Sequence, residues 1–491
     1  MSKKTQLLVF ILLVLLAASL RFYRLDWPFS NDELYTLYET KLFSGDFTTE
    51  EFVEAKFLND YYDGSEPLEK SQLYRLPRVI PVAHFLHLVN YALFGMDESA
   101  SRILPAAIGS LNVGIVFLLA RPLFGAPGSL ILSFVVLCFP EHIFNSQYNR
   151  FYSFSFFFIS IVYLLGAHAV VGRSRMAAIL IGPVAVLMVL CNTIAGIVWG
   201  TVWVGLLVEF AFSKRKNDRI TWQILALFSI WSLILVGLAA FHILPFLKEW
   251  GGQWKGYSSL SALIAFVARI GWPAFLLILS AGLGMLFRIG ENGSGYWLMG
   301  AVTSFLAVFG LPYLIVFHPW YTFLFSFPSL VLVALAIDQI RLGFCSNSPS
   351  IRPLGIACSL VFAALLNFPA LVSYYSDGNR LDYRAACRYI QGNWRESDRV
   401  TTSKADFVEW YLPRHFPKLS FTTPEQLKEQ MNDCFDGRLW VVMHCHRGGP
   451  DEKLLYQVTQ RATFETKFVK KRFDHRENSL VLFLVDPDHV K

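Results

Sequence analysis

Charge is scarce in this sequence. Only 16 % of the 491 residues are Asp, Glu, Lys or Arg, against about a quarter in soluble domains, which excludes an ordinary water-soluble globular protein. Cysteine is sparse too. The seven Cys contain no CxxC pair, so neither a disulfide framework nor a zinc ribbon is encoded. Cys138, Cys191 and Cys358 lie in apolar runs, where a thiol behaves as a small hydrophobe. One tract, His444-Cys445-His446, looks metal-like; on a strand its two imidazoles share a face. No second ligand pair stands out by spacing, and the tract reads as structural. No repeat of solenoid period is visible. No small-x-small cleavage site follows "MSKK" and the first apolar run, which therefore reads as an uncleaved helix with its N-terminus inside rather than a signal peptide.

Apolar residues are abundant instead: 54 % hydrophobic, with 44 Phe and 20 Tyr and a mean hydropathy of +0.43. Stretches of roughly 20 apolar residues recur about eleven times, near 5–22, 102–121, 127–144, 151–171, 176–193, 195–213, 220–243, 262–288, 296–316, 320–340 and 353–373. The formal net charge of +6 fits an excess of Lys and Arg in cytoplasmic loops better than a nucleic-acid partner. With the N-terminus inside, the inner loops hold Arg121, Arg173, Arg175, the run Lys214–Arg219, Arg288 and the stretch Arg341–Arg352. The outer loops "CNTIAG" and "FHPWY" carry no Lys or Arg, and the loop Lys248–Lys255 carries two.

Two segments then fall outside. Residues 23–101 form a first external loop, in which "PVAHFLHLVNYALFG" is short for a span and reads as a helix along the interface. Residues 374–491 turn polar and are long enough for a small α/β domain, after a transmembrane domain over 1–373. "DYRAACRYIQGNW" has helical spacing, "TPEQLKEQM" opens a helix at Pro424, and "RVTTS", "RLWVVMH" and "SLVLFLVD" read as strands.

On this topology, polar residues gather near the outer membrane face: Asp32 and Glu33 in "SNDELYTLYE", Arg75 and Arg78 in "YRLPRVIP", the stretch "PEHIFNSQYNRFYS" from Pro140, and "FHPWY" to Tyr321. Acids, Arg, His and aromatics in one place suit transfer between a membrane-embedded phosphate donor and a hydroxyl acceptor. Arg neutralises phosphate, and a carboxylate or His serves as base. Each element also has a plain alternative. The adjacent acids suit a helix N-terminus near Leu34, the arginines can snorkel to lipid headgroups, and a single His is more often a loop residue. Buried charge in mid-span, the mark of transporters and flippases, is almost lacking, which favours an interfacial enzyme over a lipid transporter or a non-catalytic assembly subunit.

The order of these motifs resembles the GT-C membrane glycosyltransferases, in particular the family 39-like group of protein O-mannosyltransferases, aminoarabinose transferases and RgtA/B/C/D-like proteins. Asp32-Glu33 follows the first span; "YALFG" ends at Gly95; "RILPAAIGSL" runs from Arg102, "ARPLFG" ends at Gly125, "PEHIFNSQYNRFYS" starts at Pro140, and "HPWYTFLFSFPSLVLVALA" and "DYRAACRYI" come later. The likeness is dense over 20–160 and thin afterwards. It implies an inverting transferase that takes a sugar from a polyprenyl-phosphate donor at the outer face and passes it to a lipid, glycan or protein. By the resemblance, Asp32 is the general base and Glu33 orients the acceptor or a cation. His142, Gln147, Arg150 and Tyr152, with His318 and Tyr321, line the donor phosphate or sugar. Relatives carry a basic residue before Pro-Pro where this chain has Val79 and Ile80, so Arg75 or Arg78 has to serve. Glu141 is an extra acid which, with Asp32, would suit a divalent cation such as Mg²⁺ or Mn²⁺.

Overall fold

The computed structural model describes residues 1–44, 80–212, 219–242, 258–289, 293–314, 319–345, 351–377, 381–403, 405–413, 415–421, 423–432, 437–446, 458–459, 462–471 and 477–486. Arg75, Arg78 and His318 lie outside the described residues, as do the side chains of Asp32, His444, Cys445 and His446. In chain order the helices are α1 (Lys3–Phe22), α2 (Asn31–Ser44), α3 (Pro81–Phe94), α4 (Ile103–Cys138), α5 (Pro140–Ser146), α6 (Tyr152–Val170), α7 (Arg175–Cys191), α8 (Gly196–Phe212) and α9 (Arg219–His242). They continue as α10 (Ser259–Ile270), α11 (Trp272–Leu286), α12 (Ser294–Leu314), α13 (Phe327–Cys345), α14 (Arg352–Asp377), α15 (Tyr383–Gly392), α16 (Ala405–Tyr411) and α17 (Pro424–Asn432). Five strands follow α14: β1 (Arg399–Thr402), β2 (Lys418–Ser420), β3 (Leu439–His446), β4 (Ala462–Lys471) and β5 (Glu477–Val485).

Two compact units result. The first comprises residues 1–25, 80–95 and 100–372 among those described. It is helical and apolar, and it makes the chain an integral membrane protein. Eight of its helices are long and apolar enough to cross a bilayer, and the pair α10–α11, bent by 96°, is a ninth candidate. Eleven spans were expected, and the difference has physical causes. Residues 102–121 and 127–144 join as one helical stretch, Ala100–Cys138, of 39 residues. At 1.5 Å per residue that is about 58 Å, nearly twice the ~30 Å of a bilayer core. The stretch is broken at Gly125, whose φ of 70° only glycine adopts freely, between Pro122 and Pro127. The stretch 176–193 yields α7, only 17 residues long.

α6 is the central span, with 78 % of its apolar window buried, whereas α14 has 11 % buried and turns Leu354, Val361, Leu365 and Phe368 outward as a lipid face does. Close approach of α4 to α5 depends on Gly109: a methyl there would collide with the Ser146 side chain and lie 3.2 Å from Ser153 Oγ. Asn90 ties α3 to the start of α4, its amide donating to the Ala100 carbonyl (3.0 Å) and accepting from the Leu104 N–H (2.9 Å).

The second unit holds residues 26–44, 96–99 and 373 onward among those described. Its sheet has the order β2-β1-β3-β5-β4. β1 is parallel to β2 and β3, whereas β5 runs antiparallel to β3 and β4. β2 and β4 lie at the edges and were not expected from the sequence. The sheet has two covered faces. One core gathers Val400, Trp440, Val442, Leu480 and Leu482 with Tyr383, Cys387 and Ile390 of α15. The opposite face packs Val441, Val481 and Phe483 against Leu427 and Met431 of α17. The first core also contains Phe29 and, from α2, Leu34, Leu37 and Tyr38. A segment from the first tenth of the chain is therefore part of the hydrophobic core of a unit built mostly from its last quarter.

Candidate active site

In the first unit the sequence-selected residues cluster on α5 and the turn behind it. Pro140 starts α5, where its missing N–H costs nothing, and every residue of the helix is buried. His142 is fully enclosed. Arg21, also fully buried, donates from Nη2 to His142 Nδ1 at 2.8 Å. The other ring nitrogen, Nε2, lies 3.4 Å from the Asn112 side-chain nitrogen. Asn112 in turn accepts from the Ser160 hydroxyl at 2.6 Å. His142 is thus a link in a chain that joins α1, α5, α4 and α6.

Gln147 is equally committed. Its side-chain nitrogen faces the carbonyls of Leu20 (3.3 Å), Arg21 (3.0 Å) and Tyr23 (2.6 Å). These carbonyls lie at the C-terminal end of α1, where the helix itself supplies no donors. Gln147 caps α1 from a distant part of the sequence.

Arg150 is half-buried, with its guanidinium 5.1 Å from the Phe151 ring centroid. Tyr148 stacks toward Tyr152 at 6.2 Å, and Tyr152 meets Tyr321 at 6.4 Å. These rings form an aromatic wall next in sequence to Arg150. Sequence reasoning missed a further pair, His84 and His87, one turn apart on α3 and both buried. Burial lowers His84 to about 4, and the charge of Arg150 adds to the effect. Burial likewise lowers His87 to about 3, helped by His84 and Arg150. Both imidazoles are neutral at physiological pH and add no charge beside Arg150. The H-x-x-H spacing on a helix was their available signal.

Glu141 pairs with Arg269 of α10 at 3.4 Å. A divalent cation at Glu141 would have to displace that guanidinium, and among the described residues no three His, Cys, Asp or Glu side chains come together as a metal cluster. Asp32, the cation partner expected for Glu141, has its side chain outside the described residues.

In the second unit, Asp32 and Glu33 lie in the first turn of α2. Glu33 is fully buried, and its carboxylate accepts from the Ser30 N–H (3.0 Å) and the Ser30 hydroxyl (3.2 Å). The Glu33 and Leu34 N–H groups donate to the Ser30 carbonyl. Ser at the cap and Glu three residues on, reaching back to the cap N–H, is one arm of a capping box. Glu33 therefore has a structural task that fixes the backbone on which Asp32 sits. Elsewhere in this unit, Asp398 is fully buried and receives Arg438 through two bonds (2.9 and 2.7 Å), the Trp440 indole (2.9 Å) and the Arg395 N–H (3.0 Å).

No family model matches the chain, and no curated protein matches it by sequence. Its likeness to known proteins is structural. ArnT from Cupriavidus metallidurans in the apo state aligns over 97 % of this chain and 98 % of its own, with a TM-score of 0.54 at 15 % identity. The same enzyme bound to undecaprenyl phosphate aligns over 98 % of each chain, with a TM-score of 0.50 at 14 % identity. The Archaeoglobus fulgidus oligosaccharyltransferase tethered to an acceptor peptide with the NVT sequon aligns over 89 % of this chain and 69 % of that one, with a TM-score of 0.51 at 14 % identity. Both are glycosyltransferases of one architecture, and the chain carries their GT-C fold.

Proposed function

We propose that this protein is an inverting glycosyltransferase that moves a sugar from a polyprenyl-phosphate donor to a hydroxyl acceptor at the outer face of the cytoplasmic membrane. The observation that carries the reading is the full-length likeness to ArnT, one of whose structures holds undecaprenyl phosphate. The ordered motifs from Asp32 to Tyr152 support it. In the proposed topology the chain crosses the membrane eleven times, from a cytoplasmic N-terminus to an external domain over 374–491, with Gly125 dividing the first long helical stretch into two crossings.

The chemistry follows from the residues. The acceptor oxygen attacks the anomeric carbon, the bond from that carbon to the phosphate oxygen breaks, and polyprenyl phosphate leaves. Asp32 takes the acceptor proton; a positioned base is worth roughly 10²–10⁴ in rate. Arg150, with Arg75 or Arg78, neutralises charge developing on the leaving phosphate. The neutral His84 and His87 place no competing positive charge beside Arg150. Tyr152 and Tyr321 offer ring faces to the sugar.

The test is transfer in nanodiscs from a panel of labelled undecaprenyl-phosphate hexoses and pentoses to extracted membrane lipids and glycans. The wild-type protein cleaves the donor, and Asp32→Asn abolishes transfer while expressing normally. A protein that moves the lipid across the bilayer intact, or wild-type transfer by Asp32→Asn, overturns the proposal.

A further inference from the structure

The Tyr411 hydroxyl, on the last residue of α16, stands at the approach to α2. It accepts from the Phe29 N–H at 3.0 Å and donates to Glu98 Oε1 at 3.1 Å. Arg384 of α15 reaches the same carboxylate oxygen at 3.3 Å. Phe29 immediately precedes Ser30, the residue whose N–H and hydroxyl Glu33 holds. The neighbouring Trp410 ring meets Phe29 edge-on at 5.7 Å and Tyr38 at 5.6 Å, and the Lys41 ammonium sits 4.7 Å from its centroid. The Tyr411 carbonyl is itself fixed by Gln391 at 3.1 Å. Packing alone requires none of these polar groups. A hydroxyl, a carboxylate and a guanidinium from three segments are assembled around one backbone N–H, two residues upstream of Asn31 and three upstream of Asp32.

We infer that Tyr411 and Glu98 are positioning residues for sugar transfer. Through the Phe29 N–H they set where the first turn of α2, with Asp32, sits. The charge-assisted bond to Glu98 polarises the Tyr411 hydroxyl and fixes its lone pair toward Phe29. Arg384 holds the carboxylate in that orientation. The C-terminal segment thereby supports the backbone that carries Asp32. The inference rests on Asp32 being the base. Misplacing a reacting group by about 1 Å costs up to roughly a hundredfold.

The experiment compares Tyr411→Phe, Glu98→Ala, Glu98→Gln, the Tyr411→Phe/Glu98→Ala double variant and Asp32→Asn, all as full-length protein in nanodiscs, with the same labelled undecaprenyl-phosphate sugars. Tyr411→Phe and Glu98→Ala each lose roughly ten- to a hundredfold in kcat, with donor KM and the midpoint of the acid limb of the pH profile unchanged. The double variant is no worse than either single one, and Glu98→Gln, which keeps the acceptor oxygen, retains most of the rate. Hydrogen exchange at the amides of 29–34 accelerates in Tyr411→Phe. Wild-type kcat in Glu98→Ala, or additive losses in the double variant, overturns the positioning role, and the Glu98 pair decides even when Tyr411→Phe does not fold. An inactive Asp32→Asn beside fully active Tyr411→Phe and Glu98→Ala defeats only this inference, whereas an active Asp32→Asn defeats the reading beneath it.

Discussion

Replacing Gln147 separates a structural from a donor-binding role. Its amide nitrogen has two protons and faces three carbonyls at 3.3, 3.0 and 2.6 Å, so at most two bonds exist at once. Gln147→Leu keeps the volume and removes both donor protons from a side chain that is fully buried. Losing two such bonds, at about 1 kcal/mol net each, gives a loss of roughly 2 kcal/mol. At about 2–4 °C per kcal/mol for a large cooperative unit, the midpoint of heat-induced aggregation, read by size-exclusion chromatography with fluorescence detection, falls by several degrees. Gln147→Glu must fare worse still, because a carboxylate would face three carbonyl dipoles with no proton to give. Activity falls in parallel with stability and donor KM stays put. Two results refute the reasoning: a Gln147→Glu protein as stable as wild type, or a Gln147→Leu protein with an unchanged midpoint and a raised donor KM.

Gly109→Ala forces a methyl into the Ser146 side chain and should cost about 1–3 kcal/mol by overpacking; Ser146→Gly in the same chain recovers part of the loss in the same thermal assay. Arg150→Met should lower kcat/KM for the donor by about a hundredfold, with Arg150→Lys intermediate, as measured by labelled-sugar transfer. Burial pushes the Asp398 carboxyl up, but hydrogen bonds from Arg438, the Arg395 N–H and Trp440 outweigh it and hold the group below its ordinary value. Its stabilisation is therefore present above the unfolded carboxylate range and lost as pH falls through the lowered folded value. A melting-temperature titration should show a shallower acid limb in Asp398→Asn than in wild type. His84 and His87, lowered to about 4 and about 3, stabilise the fold fully above their unfolded value near 6.5 and progressively less down to pH 3. His87→Phe, which also fits against Phe154, should flatten that part of the curve.

The membrane-spanning character was legible because a bilayer demands long apolar segments. The helix opening at Pro424 and the strands around Val400, Val441 and Val481 were legible from caps and alternation. β2 was not, because three residues carry no periodicity, and β4 was not, because "ATFETKFVKK" carries four charged residues in ten at a sheet edge. Topology picked out α5 as important, but sequence could not say that His142 and Gln147 spend their polar atoms on Arg21 and the end of α1. Those partners lie more than a hundred residues away, and no local pattern encodes them. The helix-cap role of Glu33 was legible, since an acid at a helix N-terminus is a local signal. Arg21, Arg269 and Tyr411 were invisible: a cation at a helix end or a tyrosine in a tail has too many ordinary explanations.

The membership of α2 in the core of the second unit sets a timetable for the living cell. Leu34, Leu37 and Tyr38 are synthesised early, yet Tyr383, Val400 and Leu482, which share their core, come some 350 or more residues later. At about 5–20 residues per second the ribosome needs roughly 20 to 70 s to cover that distance. Throughout that interval the apolar side of α2 has no partner of its own chain and must be shielded by the lipid surface or a chaperone. A truncated or stalled chain leaves that side uncovered, so completion of the C-terminus is also the step that matures the helix bearing Asp32.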